Sequence, residues 1–114
     1  MILKRCQHGE VKEPSDFRVF NGQHGEGCYF MPSNNKDMEA YYSRDGEKVH
    51  TAKIDSELVM DLSYRNWDYW DAKAKIYRHP EMSAFIFRHE GSGIPSGKEI
   101  LVTDLSSITV IQNK

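Results

Sequence analysis

Apolar residues in this chain fall in short runs separated by glycine and proline, and two stretches carry helical spacing. Met1–Arg5 predicts a short strand, and Gln7–Asp16, broken by Gly9 and Pro14, predicts a loop. Phe17–Phe20 reads as a further strand, followed by a turn at Asn21-Gly22. Cys28–Met31 is compact and apolar, as a buried strand is. After turn and cap chemistry at Pro32–Asn35, the spacing of Met38, Tyr41 and Tyr42 predicts a short helix over Asn35–Ser43. Lys48–Ile54 alternates, with Val49, Thr51 and Lys53 on one side and His50, Ala52 and Ile54 on the other. Trp67, Trp70, Ala74 and Tyr77 form a stripe that predicts a second helix, buried along those residues and ending before Pro80. Ala84–Arg88 reads as a strand and Glu90–Gly97, rich in glycine, as a loop. Glu99–Thr103 and Ser107–Ile111 are two further β-rich runs. Roughly six short strands with two helices among them give an α+β class.

Composition narrows the function. The chain has 114 residues, 39% hydrophobic and 28% charged, as expected of a single globular domain over residues 1–114. Fifteen Lys and Arg against seventeen Asp and Glu leave a net charge of −2, which argues against a broad electrostatic grip on nucleic acid. The first five residues turn polar too soon for a secretory signal, and no stretch reaches membrane-spanning length, so no membrane partner is expected. Two cysteines, Cys6 and Cys28, are too few for a disulfide framework, and a cytoplasmic setting follows. Cys6, His8, His24 and Cys28 are spaced poorly for zinc, since Cys6-x-His8 is too tight a pair, and no metal is expected. The glycines from Gly22 to Gly27 lack the third glycine and the long following helix of a Rossmann fingerprint. Trp67-Asp68-Tyr69-Trp70 is read as core, with an aromatic platform for bases or a protein as the other reading.

Two segments carry the chemistry. Gly25-Glu26-Gly27-Cys28-Tyr29-Phe30 sets an aromatic strand behind two glycines, and Ala40-Tyr41-Tyr42 closes a helix about a dozen residues later. Lys98-Glu99-Ile100-Leu101-Val102-Thr103-Asp104-Leu105-Ser106-Ser107-Ile108 places a glutamate at the opening of a late strand, followed by an Asp turn. Together they resemble the second and third motifs of the ADP-ribosyltransferase-fold family, in particular small phage and bacterial members. Those members include DNA-targeting toxins and an ADP-ribosylating anti-CRISPR protein. The resemblance spans roughly Met1 to Ile111.

The resemblance implies a compact fold of two small antiparallel sheets around an NAD cleft, with two short helices. It implies NAD as substrate, with Glu99 catalytic and Gly27, Tyr29, Tyr41 and Tyr42 on the nicotinamide side. In the family, two tyrosines sandwich the nicotinamide ring, and stacking together with a cation–π contribution makes that physically sound. A fixed carboxylate at Glu99 would stabilise the oxocarbenium-like centre formed when nicotinamide leaves the ribose. The first motif falls on Arg5, counted from the strand start, or on His8, counted back from Gly9. The flanking residues depart from the family there. The implied activity is transfer of ADP-ribose to a macromolecular acceptor, protein rather than nucleic acid, by a phage or bacterial effector in the bacterial cytoplasm. The alternative is a chain of the same fold without catalysis, acting as a binding or inhibitory module.

Overall fold

The computed structural model describes residues 1–91 and 94–111 of the chain. Among the described residues lie eight strands and two α-helices. The strands are β1 (Ile2–Gln7), β2 (Phe20–Gly22), β3 (Gly25–Pro32), β4 (Lys48–Ile54), β5 (Val59–Asp61), β6 (Ala84–Gly91), β7 (Ile94–Val102) and β8 (Ile108–Ile111). The helices are α1 (Lys36–Ser43) and α2 (Tyr69–Tyr77). Among the described residues, no helix is long and apolar enough to cross a membrane.

The α+β class is observed. The strands form one curled mixed sheet in the order β5-β6-β7-β3-β1-β4-β8, with β2 paired to β3. The expectation of two small antiparallel sheets is corrected in two respects. Strand β1 joins the two halves, since it pairs with β4 along its length and with β3 at Leu3 and Lys4. Strands β5 and β6 run parallel, because α2 and its loops carry the chain back to the starting edge.

Local chemistry accounts for the helices. Asn35 caps α1 by accepting the Met38 N–H at 3.0 Å, and Asp68 caps α2 by accepting the Asp71 N–H at 2.8 Å. The expected burial of α2 is corrected: Trp70 is 71% exposed and Tyr77 86% exposed, while Ala72 and partly Ile76 face inward. Trp67 precedes the helix, and its indole N–H is pinned to the Leu62 carbonyl at 2.8 Å. Counting a helical stripe from Trp67 therefore sets the wrong phase.

Three further readings shift. The hairpin turn is Gln23-His24, with Asn21 and Gly22 inside β2. Phe17 lies outside any strand and packs edge-on against Phe30 at 4.9 Å. Of the stretch read as a loop over Glu90–Gly97, Glu90 and Gly91 belong to β6 and residues 94–97 to β7, with Gly91 opposite Ile94 and an irregularity between His89 and Gly91, while residues 92 and 93 lie outside the described residues.

The two faces of the β3–β7–β6 segment feed different cores. Cys28, Phe30, Ile100, Val102, Ala84 and Ile86 join an apolar core with Leu3, Phe17, Ala52 and Ile54. Tyr29, Leu101, Phe85 and Phe87 point the other way, toward Leu62 and Ala72 under α2. The pairings Tyr29 with Leu101 and Phe87 with Glu99 extend this second face to the end of the sheet where the candidate site lies.

Candidate functional site

A cavity of about 260 Å³ opens where β1, β2, β3, α1 and the β6–β7 hairpin meet. Arg5 from β1 and Tyr29 from β3 line it, with Tyr42 from α1 and Glu99 from β7. His89 from β6, Phe20 from β2, and Met31 and Met38 complete the parts of the wall used below. Such a mixture of apolar walls with a few convergent polar groups is the usual makeup of a small-molecule site.

Each side chain is held by its element. Arg5 sits on β1 opposite His50, and its Nη1 donates to the Tyr29 carbonyl at 2.8 Å. Its Nε donates to Gln7 Oε1 at 3.2 Å, and Gln7 is itself fixed by the Asp16 carbonyl and the Arg18 N–H. The guanidinium carbon also stands 5.7 Å from the centre of the Phe20 ring. Tyr29 is locked at its far end. Its hydroxyl donates to the Gly25 carbonyl and accepts the His24 N–H, and its ring lies tilted against Phe20 at 5.1 Å. Tyr42 packs beside Cys6, Met31 and Met38. Helix α1 approaches this closely because Gly97 has no side chain: a Cβ there would lie 2.5 Å from the Asn35 amide nitrogen.

Glu99 is the chemically distinctive group. Its side chain is 12% exposed and stands beside His89, with Oε2 3.2 Å from Nδ1. Burial pushes its carboxyl from an ordinary 4.5 up to about 7. Burial also pulls the His89 imidazole below its usual value, so both neighbours lean toward their neutral forms. The Tyr29 hydroxyl is pushed up to about 12, and that of Tyr42 upward, chiefly by burial with Glu99 adding to it. A carboxyl that titrates near neutrality in a cleft is the kind of group expected of an acid or base catalyst.

Four of the residues singled out in the sequence thus share the cavity: Arg5, Tyr29, Tyr42 and Glu99. The other three lie outside its wall. His8 is 61% exposed and stands 3.7 Å from Glu47. Tyr41 turns away, edge-on to Tyr42 and under the Arg44 guanidinium at 4.0 Å. Gly27 serves the sheet, since a Cβ there would lie 2.6 Å from the Val102 carbonyl oxygen, and it opens onto a separate groove beside α2. Between Arg5 and His8, only Arg5 reaches the cavity. Cys28 is fully buried with its thiol pushed up to about 11, and so is chemically quiet.

Sequence reading missed His89. The signal was the alternation Phe85-x-Phe87-x-His89, which continues one face of β6 past Arg88 and puts an imidazole at the end of an aromatic row. Ending the strand at Arg88 hid it.

Comparisons with protein-family models, with curated proteins and with solved structures find no match to this chain.

Proposed function

We propose that the chain binds NAD in this cavity and transfers its ADP-ribose to a macromolecular acceptor, a protein in the bacterial cytoplasm. The observation that supports the reading is the convergence of Arg5, Tyr29, Tyr42 and Glu99. They come from three distant stretches of sequence and line one cavity, with Tyr29, Tyr42 and Glu99 carried by the second and third motifs of the resemblance. Tyr29 and Tyr42 offer aromatic surface to a flat ring, and Arg5 is a guanidinium suited to phosphate. When the bond between nicotinamide and ribose breaks, its electron pair leaves with nicotinamide and positive charge develops on the ribose. A carboxylate at Glu99 stabilises that charge where water is largely excluded.

The ionised form of Glu99 is the useful one, and a cationic nicotinamide ring favours it. NAD binding is therefore expected to draw a proton off Glu99 and to weaken as pH falls below about 7. Calorimetry in two buffers of different ionisation enthalpy measures both quantities. Labelled NAD with a bacterial lysate then reads out transfer. Absence of binding at millimolar NAD by folded protein counts against the reading.

One observation favours a second reading, a binding or inhibitory module without catalysis. Burial leaves Glu99 about half protonated near neutral pH, and Arg5 is already anchored to the Tyr29 carbonyl and Gln7. Under that reading Glu99→Gln leaves the biological effect intact.

A further inference from the structure

Glu99 does not stand alone. Across the β6–β7 ladder its direct partner is Phe87, and His89 lies two residues further along the same face, the diagonal position that long side chains reach. The 3.2 Å approach of His89 Nδ1 to Glu99 Oε2 lacks the alignment of a hydrogen bond. Both ring nitrogens of His89 are buried without a hydrogen-bond partner among the described residues. Nearly all buried polar groups in folded proteins are satisfied, and a catalytic duty is one of the few physical reasons for an exception. Both side chains line the cavity.

The other charged or titratable groups around the cavity are accounted for. From β1, Lys4 pairs with Glu39 at 3.1 Å, Arg5 is tied to the Tyr29 carbonyl, and the Cys6 thiol is pushed upward by burial. Tyr29 from β3 and Tyr42 from α1 are also pushed upward and stay neutral. His24, in the β2–β3 turn, is lowered by burial and stacks flat on Phe87 at 4.1 Å. Among the described residues, His89 is the one basic group within ion-pair distance of the Glu99 carboxylate.

We propose that His89 and Glu99 act as one proton-handling pair, with Glu99 taking the proton of the attacking nucleophile and His89 Nδ1 accepting a hydrogen bond from the protonated acid. The proposal rests on the ADP-ribosyl-transfer reading. The step balances. The acceptor oxygen or nitrogen forms a bond to the ribose carbon as the bond from that carbon to nicotinamide breaks. The electron pair leaves with nicotinamide, which becomes neutral. The nucleophile's proton goes to Glu99 and stays there, donated as a hydrogen bond to His89 Nδ1. Before the step the pair carries one negative charge beside a cationic ring, and afterwards the pair and the departing ring are both neutral. The net charge of this poorly solvated site is zero at both ends. Burial opposes a lone charge there, and the step never requires one. His89 is thus a positioning residue that acts through Glu99.

The test uses the full chain with isotope-labelled glutamate and histidine. NMR titration without NAD is expected to show linked transitions for the Glu99 carboxyl and the His89 ring. His89→Leu is expected to move the Glu99 midpoint by about one unit or more, the scale of coupled neighbours. His89→Asn, which keeps a polar group, guards against loss of folding. In turnover, His89→Leu is expected to lower the rate by about a hundredfold and to shift the acidic limb of the pH–rate profile with the Glu99 midpoint, with NAD still bound at pH values above that midpoint. A Glu99 midpoint unmoved in folded His89→Leu and His89→Asn overturns the pair. An unchanged pH–rate profile overturns the proposal while leaving the transfer reading intact. Linked titrations in a wild-type chain that transfers nothing overturn the reading on which the chemical step rests.

Discussion

The two faces of the β3–β7–β6 segment are built from the same strands and behave differently. On one face Phe30, Ile100, Val102 and Ile86 join an apolar cluster in which Cys28, its buried thiol chemically quiet, is the titratable member among the described residues. On the other, the row Phe85, Phe87 and His89 runs from an apolar core into a cavity, and Leu101 gives way to Glu99. Neither region could serve both ends. A saturated core holds the strands in register, and the register places an acid and an imidazole at the edge of apolar surface. Glu99 is desolvated because Phe87 is its cross-strand partner, and it stays accessible because the face ends at a cavity.

The comparison breaks most readily in the saturated face. Phe30→Ala removes a buried ring that meets Phe17 edge-on, and it is expected to cost about 3–5 kcal/mol in denaturant unfolding. Loss of less than about 1 kcal/mol would mean that this face is not the structural core.

The next effect comes from the cavity face and has a sign. Glu99 has its carboxyl raised on folding from 4.5 to about 7. The folded state therefore binds a proton that the unfolded chain releases at lower pH. The stabilisation associated with that proton is full below about 4.5 and is lost as pH rises to about 7. The shift corresponds to roughly 3 kcal/mol. His89 and His24 act oppositely, since burial lowers both, and their contribution is lost as pH falls below the ordinary 6.5. Comparing the wild type with Glu99→Gln isolates the acid: the variant is expected to gain on the wild type across pH 4.5 to 7. Parallel pH–stability curves would show that Glu99 is well solvated.

How much of this was legible in the sequence follows from where local chemistry decides the outcome. Strand β4 runs over the expected Lys48–Ile54 because its alternation is regular, and Asn35 is a recognisable cap, whereas Asp68 was hidden as the cap of α2 because the aromatic stripe was counted from Trp67. Strands β2 and β5 have three residues each, too few to show a period. The continuation of β6 and the start of β7 were hidden by Gly91 and Gly97, which read as loop but sit in strands. Glu99 and Tyr29 were legible through the motifs that carry them. His89 was not, because its role depends on a cross-strand neighbour ten residues away.

The smallest effect sharpens the comparison from outside. Trp70 lies on the solvent side of α2, 71% exposed, in contact with neither core. Trp70→Ala is expected to change stability by no more than about 0.5 kcal/mol. A larger loss would place the aromatic stripe of α2 in the core after all.

Transfer by Glu99→Gln tests the central claim most directly, that the acid of the second face is built to act on NAD. The substitution keeps shape and one acceptor oxygen, so folding should be retained and NAD should still bind, as it does to wild type with Glu99 protonated, while the charge that stabilises the transition state is lost. Labelled transfer and NAD consumption, measured together on wild type and variant, are expected to fall by about a hundredfold to a thousandfold in the variant. Transfer at the wild-type rate by a folded Glu99→Gln chain would contradict the account and remove Glu99 from the chemistry.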